Sequence, residues 1–133
     1  MYKHILAATD FSQLGDHALQ KATELAVQLG AKLTLVHVMV SEDSASPMYA
    51  QHEVRAHVEK LKQLLPAHAA DVKVELEVRV GDASTEILAA AEQHGADVIV
   101  LASHGQRGLA EWLLGSTAER VVRNARRDVL IVT

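Results

Sequence analysis

The chain has 133 residues, 49 % of them hydrophobic, which is enough for one proper core, and residues 1–133 read as a single domain. A formal net charge of −4 does not favour nucleic acid as a partner, and the absence of cysteine excludes disulfides and thiolate chemistry. Only 3 % of residues are aromatic, so the core must be built from Val, Leu, Ile and Ala, a composition that suits a parallel sheet under Ala-rich helices.

Met1 to Leu6 run straight into a strand pattern, which leaves no room for a signal peptide, and no apolar run approaches the roughly 20 residues of a membrane helix. A soluble, cytoplasmic protein with no membrane partner is expected. Residues 4–9 read as a short buried strand. Leu14, Ala18, Ala22, Leu25, Ala26 and Leu29 then recur at helical spacing and form one stripe, with Gly30 in the usual C-terminal position. Residues 32–38 form a second strand, 41–47 a small polar loop, and 48–65 a second helix with Val54, Val58, Leu61 and Leu65 on one side. Residues 72–80 alternate cleanly, valines and Leu76 on one face, Lys73, Glu75, Glu77 and Arg79 on the other, as expected of a half-exposed strand at a sheet edge. Gly81 breaks it, and Ser84 or Thr85 is placed to cap a helix running to His94 and Gly95. Residues 97–102 form the most apolar strand, 116–124 a fourth helix opened by a Ser116/Glu119 capping box, and 128–133 a last strand.

Strands and helices thus alternate throughout, which predicts an α/β fold, a doubly wound five-stranded parallel sheet with helices on both faces. Ligands of such sheets sit beyond the carboxyl ends of the strands, at a topological switch point. The run Ala102-Ser103-His104-Gly105-Gln106-Arg107-Gly108 and the later Gly115-Ser116-Thr117 occupy that position after the fourth strand. A strand that opens into glycines and then into a helix start suits an anion, because backbone N–H groups can approach it and the helix start adds partial positive charge. A phosphate-bearing ligand follows. No lysine precedes Ser116, so this is no Walker A loop, and no glycine triplet follows Thr9, so it is no dinucleotide fingerprint. The loop is better suited to holding phosphate than to cleaving it. The eight histidines show no metal-ligand spacing.

Gly105, nine residues, then Gly115-Ser116 resembles the nucleotide-binding signature of the universal stress protein family, Gly-x2-Gly-x9-Gly-Ser/Thr, with Ala102 in place of its first glycine. Thr9-Asp10-Phe11-Ser12, Leu35-Val36-His37-Val38 and the Val-rich final strand extend the resemblance over essentially the whole chain. The resemblance implies an adenine nucleotide alpha hydrolase-like sheet of order 3-2-1-4-5. It further implies a bound ATP or other adenine nucleotide, with Mg²⁺ or Mn²⁺ as accompanying ion, a stress-response or regulatory role, and at most slow hydrolysis. A homodimer through Val129 to Val132 is implied as well. An alternative is a family member that lacks a working signature and acts as an interaction protein without nucleotide.

In that scheme Gly105 and Gly115 place backbone amides on the triphosphate, and Ser116 and Thr117 donate hydroxyl and amide hydrogens to phosphate oxygens. Asp10 either accepts ribose hydroxyls, helps hold the metal ion or simply caps the following helix; Ala8 and Thr9 line the same wall. Val38 meets adenine through backbone groups. His104 reaches a phosphate or ribose, Arg107 is a solvated loop residue, and Trp112 packs its short apolar segment. Ala102 is tolerated if its position is strand-like, and weakens binding if that position demands positive φ or contact-distance approach to the ligand.

Overall fold

The apolar runs fold as five short strands, β1 (His4–Ala8), β2 (Lys32–Met39), β3 (Val74–Val80), β4 (Val98–Ala102) and β5 (Asp128–Val132). This is a computed structural model, which describes residues 1–40, 47–105 and 113–133. All pairs are parallel and the order is β3-β2-β1-β4-β5, the order expected. The chain therefore winds outward from β1 to β3, then returns to β4 on the other side of β1. The crevice between the carboxyl ends of β1 and β4 is the switch point.

Helices α1 (Gln13–Leu29), α2 (Pro47–Gln63), α3 (Ala83–His94) and α4 (Ser116–Asn124) connect the strands, with a 3₁₀ turn at Ala67–Asp71 before β3. Alternate residues of each central strand serve two layers. Ile5, Ala7, Leu33, Leu35, Val98 and Val100 pack against Ala18, Leu19, Ala22 and Ala26 of α1 and Leu61 of α2. Leu6, Ala8, Val36, Ile99 and Leu101 pack against Ile87, Ala90 and Ala91 of α3 and Val121 of α4. Alanines at the helix faces bring the helices close, and the largest fully buried side chains are all Ile, Leu, Val or Thr. Each buried Leu or Ile contributes roughly 1.5–3 kcal/mol.

Several boundaries differ from the sequence expectation for local reasons. Asp82, not Ser84 or Thr85, caps α3: its Oδ2 accepts from the Thr85 N–H (3.1 Å), the Thr85 hydroxyl (2.7 Å) and the Ser84 hydroxyl (3.0 Å). A carboxylate is the stronger acceptor at a positive helix end, and the Thr85 hydroxyl leads in holding its pKa below the usual carboxylate range. Helix α2 starts at Pro47, where its fixed φ suits a first helical residue, and ends at Gln63 as the chain tightens into Leu64 and Leu65. Strand β3 begins at Val74 because the 3₁₀ turn occupies the preceding residues and binds the Val72 N–H to Ala69 O. No capping box forms on α4: Gly115 is the cap residue, and the Glu119 N–H donates to Gly115 O (2.9 Å).

Both sheet edges are as the patterns imply. On β3, Arg79 pairs with Glu77 and Glu86, and His94 Nε2 lies 2.6 Å from Glu77 Oε2, so the polar face is tied down to α3. On β5, the outer edge carries Leu130, which is 43 % exposed.

Candidate functional site

The residues beyond β1 form a tight turn in which nearly every polar group has a named partner. Thr9 continues the strand by one hydrogen bond, its N–H donating to Val36 O (3.0 Å). Its buried hydroxyl donates to Asp16 Oδ1 (3.0 Å) and accepts from the Phe11 N–H (2.9 Å). Asp10 is exposed, and its Oδ1 accepts from the Ser12 N–H (2.9 Å), an Asx turn rather than a helix cap. The cap of α1 is Ser12, whose Oγ accepts from the Gly15 N–H (3.0 Å). The Asp10 carboxylate thus lies at the end of β1, beside the start of α1.

The segment beyond β4 comes back to the same place. Ser103 is buried, and its N–H donates to Val132 O (2.8 Å), which extends the pairing with β5. Ser103 O accepts from the Gly115 N–H (2.7 Å), so the two ends of the signature loop are stapled together. Gly115 adopts φ −64° and ψ 157°, angles open to any residue. What it needs is space: a Cβ there would lie 3.1 Å from Ser103 O and 3.3 Å from His104 Cα. Its amide is used within the protein, which corrects the expectation that this N–H reaches the ligand. Gly105 likewise owes its place to crowding, because a Cβ on it would overlap Asp10 Oδ2.

The remaining candidates take distinct positions around the crevice. Ser116 and Thr117 are the first residues of α4, with Ser116 exposed and Thr117 half-buried. Among the described residues no side chain caps this helix, and its first amides have no intrahelical acceptor. Ala102 is the last residue of β4, paired with Val132 in extended conformation, so its position does not demand positive φ. Ala8 is buried in the α3/α4 layer and half-buried Val38 packs against that layer at the end of β2. His104 is half-buried, shares a 3.1 Å hydrogen bond between its Nδ1 and Ser103 Oγ, and lines an open groove of about 1190 Å³ with Ser12, Asp16, His17, Gly105 and Thr133. Arg107, Gly108 and Trp112 lie outside the described residues. Among the described residues, no three His, Asp or Glu side chains group into a metal site.

Other residues at the site escaped the sequence reading. Phe11 sits at φ 64°, an unusual conformation for a bulky residue. Its ring lies 4.3 Å from that of His37 and 5.7 Å from that of His57, with Lys60 Nζ 4.5 Å from its centroid. His37 donates from Nδ1 to Thr9 O (2.8 Å), and burial holds its pKa below the ordinary imidazole value despite that bond. The signal was present, since His37 shares the strand face of Leu33 and Leu35.

The comparisons agree with this fold. The universal stress protein family model matches residues 1–133. Universal stress protein MJ0577 of Methanocaldococcus jannaschii is 32 % identical over 154 aligned residues, covering 99 % of this chain and 95 % of that protein. Universal stress protein A homolog 2 of Coxiella burnetii is 34 % identical, covering 98 % and 94 %. The solved MJ0577 structure superposes with a TM-score of 0.81 at 30 % identity over 99 % of this chain and 96 % of that one. A universal stress protein solved in complex with cAMP superposes with a TM-score of 0.78 at 26 % identity, covering 99 % and 97 %. With this match along its full length and relatives above 30 % identity, the chain belongs to the universal stress protein family.

Proposed function

We propose that this chain is a nucleotide-holding module that binds ATP, or another adenine nucleotide, in the crevice beyond β1 and β4. The observation that carries the reading is the staple between Ser103 O and the Gly115 N–H, which ties the start of α4 to the segment beyond β4, whose Gly105 lies against Asp10. The amides of a helix start and a carboxylate suit a molecule with phosphates at one end and sugar hydroxyls at the other. The cAMP complex of a relative with the same fold supports an adenine nucleotide as ligand.

On this reading Ser116 and Thr117 bind phosphate oxygens through their amides and hydroxyls, with Gly105 admitting the ligand close to the backbone. Asp10 accepts ribose hydroxyls, Ala8, Thr9 and Ala102 form the wall behind them, and Val38 meets the base. His104 lies close enough to the loop to assist at phosphate or ribose. A Mg²⁺ or Mn²⁺ ion would lean on Asp10 and on the ligand's own phosphates, the usual arrangement for such ions. The site holds rather than turns over: the loop lacks the lysine that cradles phosphates in hydrolases of the Walker type, and hydrolysis is slow at most. Two copies pair through the exposed edge of β5, where Leu130 and the unpaired strand need a cover. The module acts in the cytoplasm, in a stress-response or regulatory role.

Binding only to the folded state raises stability by about 2.7 kcal/mol at a ligand concentration 100-fold above Kd. A thermal shift with ATP and Mg²⁺, together with chromatographic identification of nucleotide released on denaturing the purified protein, tests the reading. No shift at millimolar ATP and no released nucleotide would refute it.

A further inference from the structure

The Asp10 carboxylate is held between two glycines, one on each side. On the loop side is Gly105, where a Cβ would overlap Oδ2 and lie 3.2 Å from Cγ. On the helix side is Gly15, in the first turn of α1, where a Cβ would lie 2.8 Å from Asp10 Oδ1, 2.8 Å from Thr9 Oγ1 and 3.0 Å from Ser12 Oγ. A Cβ inside 3.0 Å of another heavy atom forces that atom to move, so an alanine at residue 15 and the present Asp10 rotamer exclude each other. The oxygens around Gly15 are not idle. Asp10 Oδ1 accepts from the Ser12 N–H, Thr9 Oγ1 supports the left-handed Phe11, and Ser12 Oγ is the cap of α1.

Gly15 needs an explanation on other grounds. It is buried within a helix, and its absence from the glycines with positive φ shows that ordinary helical angles suffice. Glycine there forgoes the helix propensity that alanine would supply. The space it leaves is filled by the Asp10 carboxylate and the two hydroxyls. We propose that Gly15 is a positioning residue for the nucleotide site: by lacking a Cβ it leaves room for the present orientation of the Asp10 carboxylate, as Gly105 does on the loop side. This rests on the reading of Asp10 as a nucleotide contact. Gly15 itself touches no ligand; it acts through Asp10.

The test has two arms. In ¹³C,¹⁵N-labelled protein without nucleotide, three-bond couplings report the χ1 rotamer of Asp10: a single rotamer is expected in the native chain and a changed or averaged one in Gly15→Ala. Unchanged couplings would overturn the assignment whether or not the protein binds nucleotide. In the second arm, ATP binding is measured by calorimetry. Gly15→Ala is expected to weaken it about tenfold, the loss of one charge-assisted hydrogen bond, and to have less than about a twofold effect in an Asp10→Ala background. Equal losses in both backgrounds would assign Gly15 to the general shape of the turn and overturn the proposal. A native chain that binds no ATP defeats the functional reading alone, and the coupling measurement still decides the positioning claim. If Gly15→Ala fails to fold, the Thr9→Ala/Asp10→Ala/Gly15→Ala chain, which removes both atoms that a Cβ would meet at 2.8 Å, is expected to fold; its failure also overturns the assignment.

Discussion

Replacing Gly115 tests how the loop is closed. Backbone angles do not object to a side chain, since φ −64° and ψ 157° are ordinary extended values. The obstacle is two backbone atoms, Ser103 O at 3.1 Å and His104 Cα at 3.3 Å from the position of a Cβ. Alanine therefore asks the Ser103 turn to give by a few tenths of an ångström. Valine adds two methyl groups in the same gap and must break the 2.7 Å bond between the Gly115 N–H and Ser103 O. The lost bond costs about 1 kcal/mol and the overpacking about 1–3 kcal/mol, shared between local opening and the fold. Gly115→Val is thus expected to lower the melting midpoint by several degrees, at about 4 °C per kcal/mol for a chain of this size. ATP affinity should fall much further, by more than about tenfold, because the start of α4 is carried away from the crevice. Gly115→Ala should fall between valine and the native chain in both measurements. The assays are thermal unfolding without ligand and calorimetric titration with ATP. Native-like ATP affinity in Gly115→Val would refute the claim that the Ser103 staple builds the site.

Ala102→Gly should change ATP affinity by less than about twofold, because Ala102 already sits in extended pairing with Val132; creation of binding where the native chain has none would refute this. Arg127→Ala should cost about 2–3 kcal/mol in urea unfolding, seen as a lower midpoint with unchanged slope, because its guanidinium donates to the carbonyls of Ala91, Ala96 and Ala125 (2.8–3.0 Å) and the Ala96 and Ala125 residues are buried. A loss below about 0.5 kcal/mol would show those carbonyls find other partners. Stability should decline as pH falls below about 6.5, since burial lowers the pKa of His37 and of His4, and the unfolded chain then takes up protons that the folded one refuses. A second decline is expected below the ordinary carboxylate range as Asp97, held down by the Lys3 and His4 N–H groups, is protonated. A urea midpoint that stays flat from pH 7 to 5 would contradict the histidine part.

The sheet was legible in the sequence because its signals are local. Unbroken apolar runs marked the central strands, clean alternation at 72–80 marked the β3 edge, and helical spacing marked α1. The residues misread are those decided by a neighbour in space. Asp82 outcompetes Ser84 and Thr85 as a cap because a carboxylate accepts three hydrogen bonds there, a matter of rotamers rather than spacing. The Ser116/Glu119 capping box fits its pattern, yet the staple from Ser103 places Gly115 at the cap. At the candidate site, the glycine spacing identified Gly105 and Gly115, but not why each must be glycine. Those reasons are Asp10 and Ser103, and the first is 95 residues away along the chain. Phe11 was invisible for the same reason, since its ring contacts exist only after β1, β2 and α2 have packed together, while Gly15 meets Thr9, Asp10 and Ser12 through rotamers that no spacing reveals.

The central claim is that an adenine nucleotide occupies the crevice between the β1 turn and the start of α4. Titrating ¹⁵N-labelled protein with ATP, residue by residue, tests it most directly. The account predicts saturable amide shifts concentrated at Thr9, Asp10, Gly105, Gly115, Ser116 and Thr117. Absence of shifts at millimolar ATP, or shifts confined to a different surface, would contradict it.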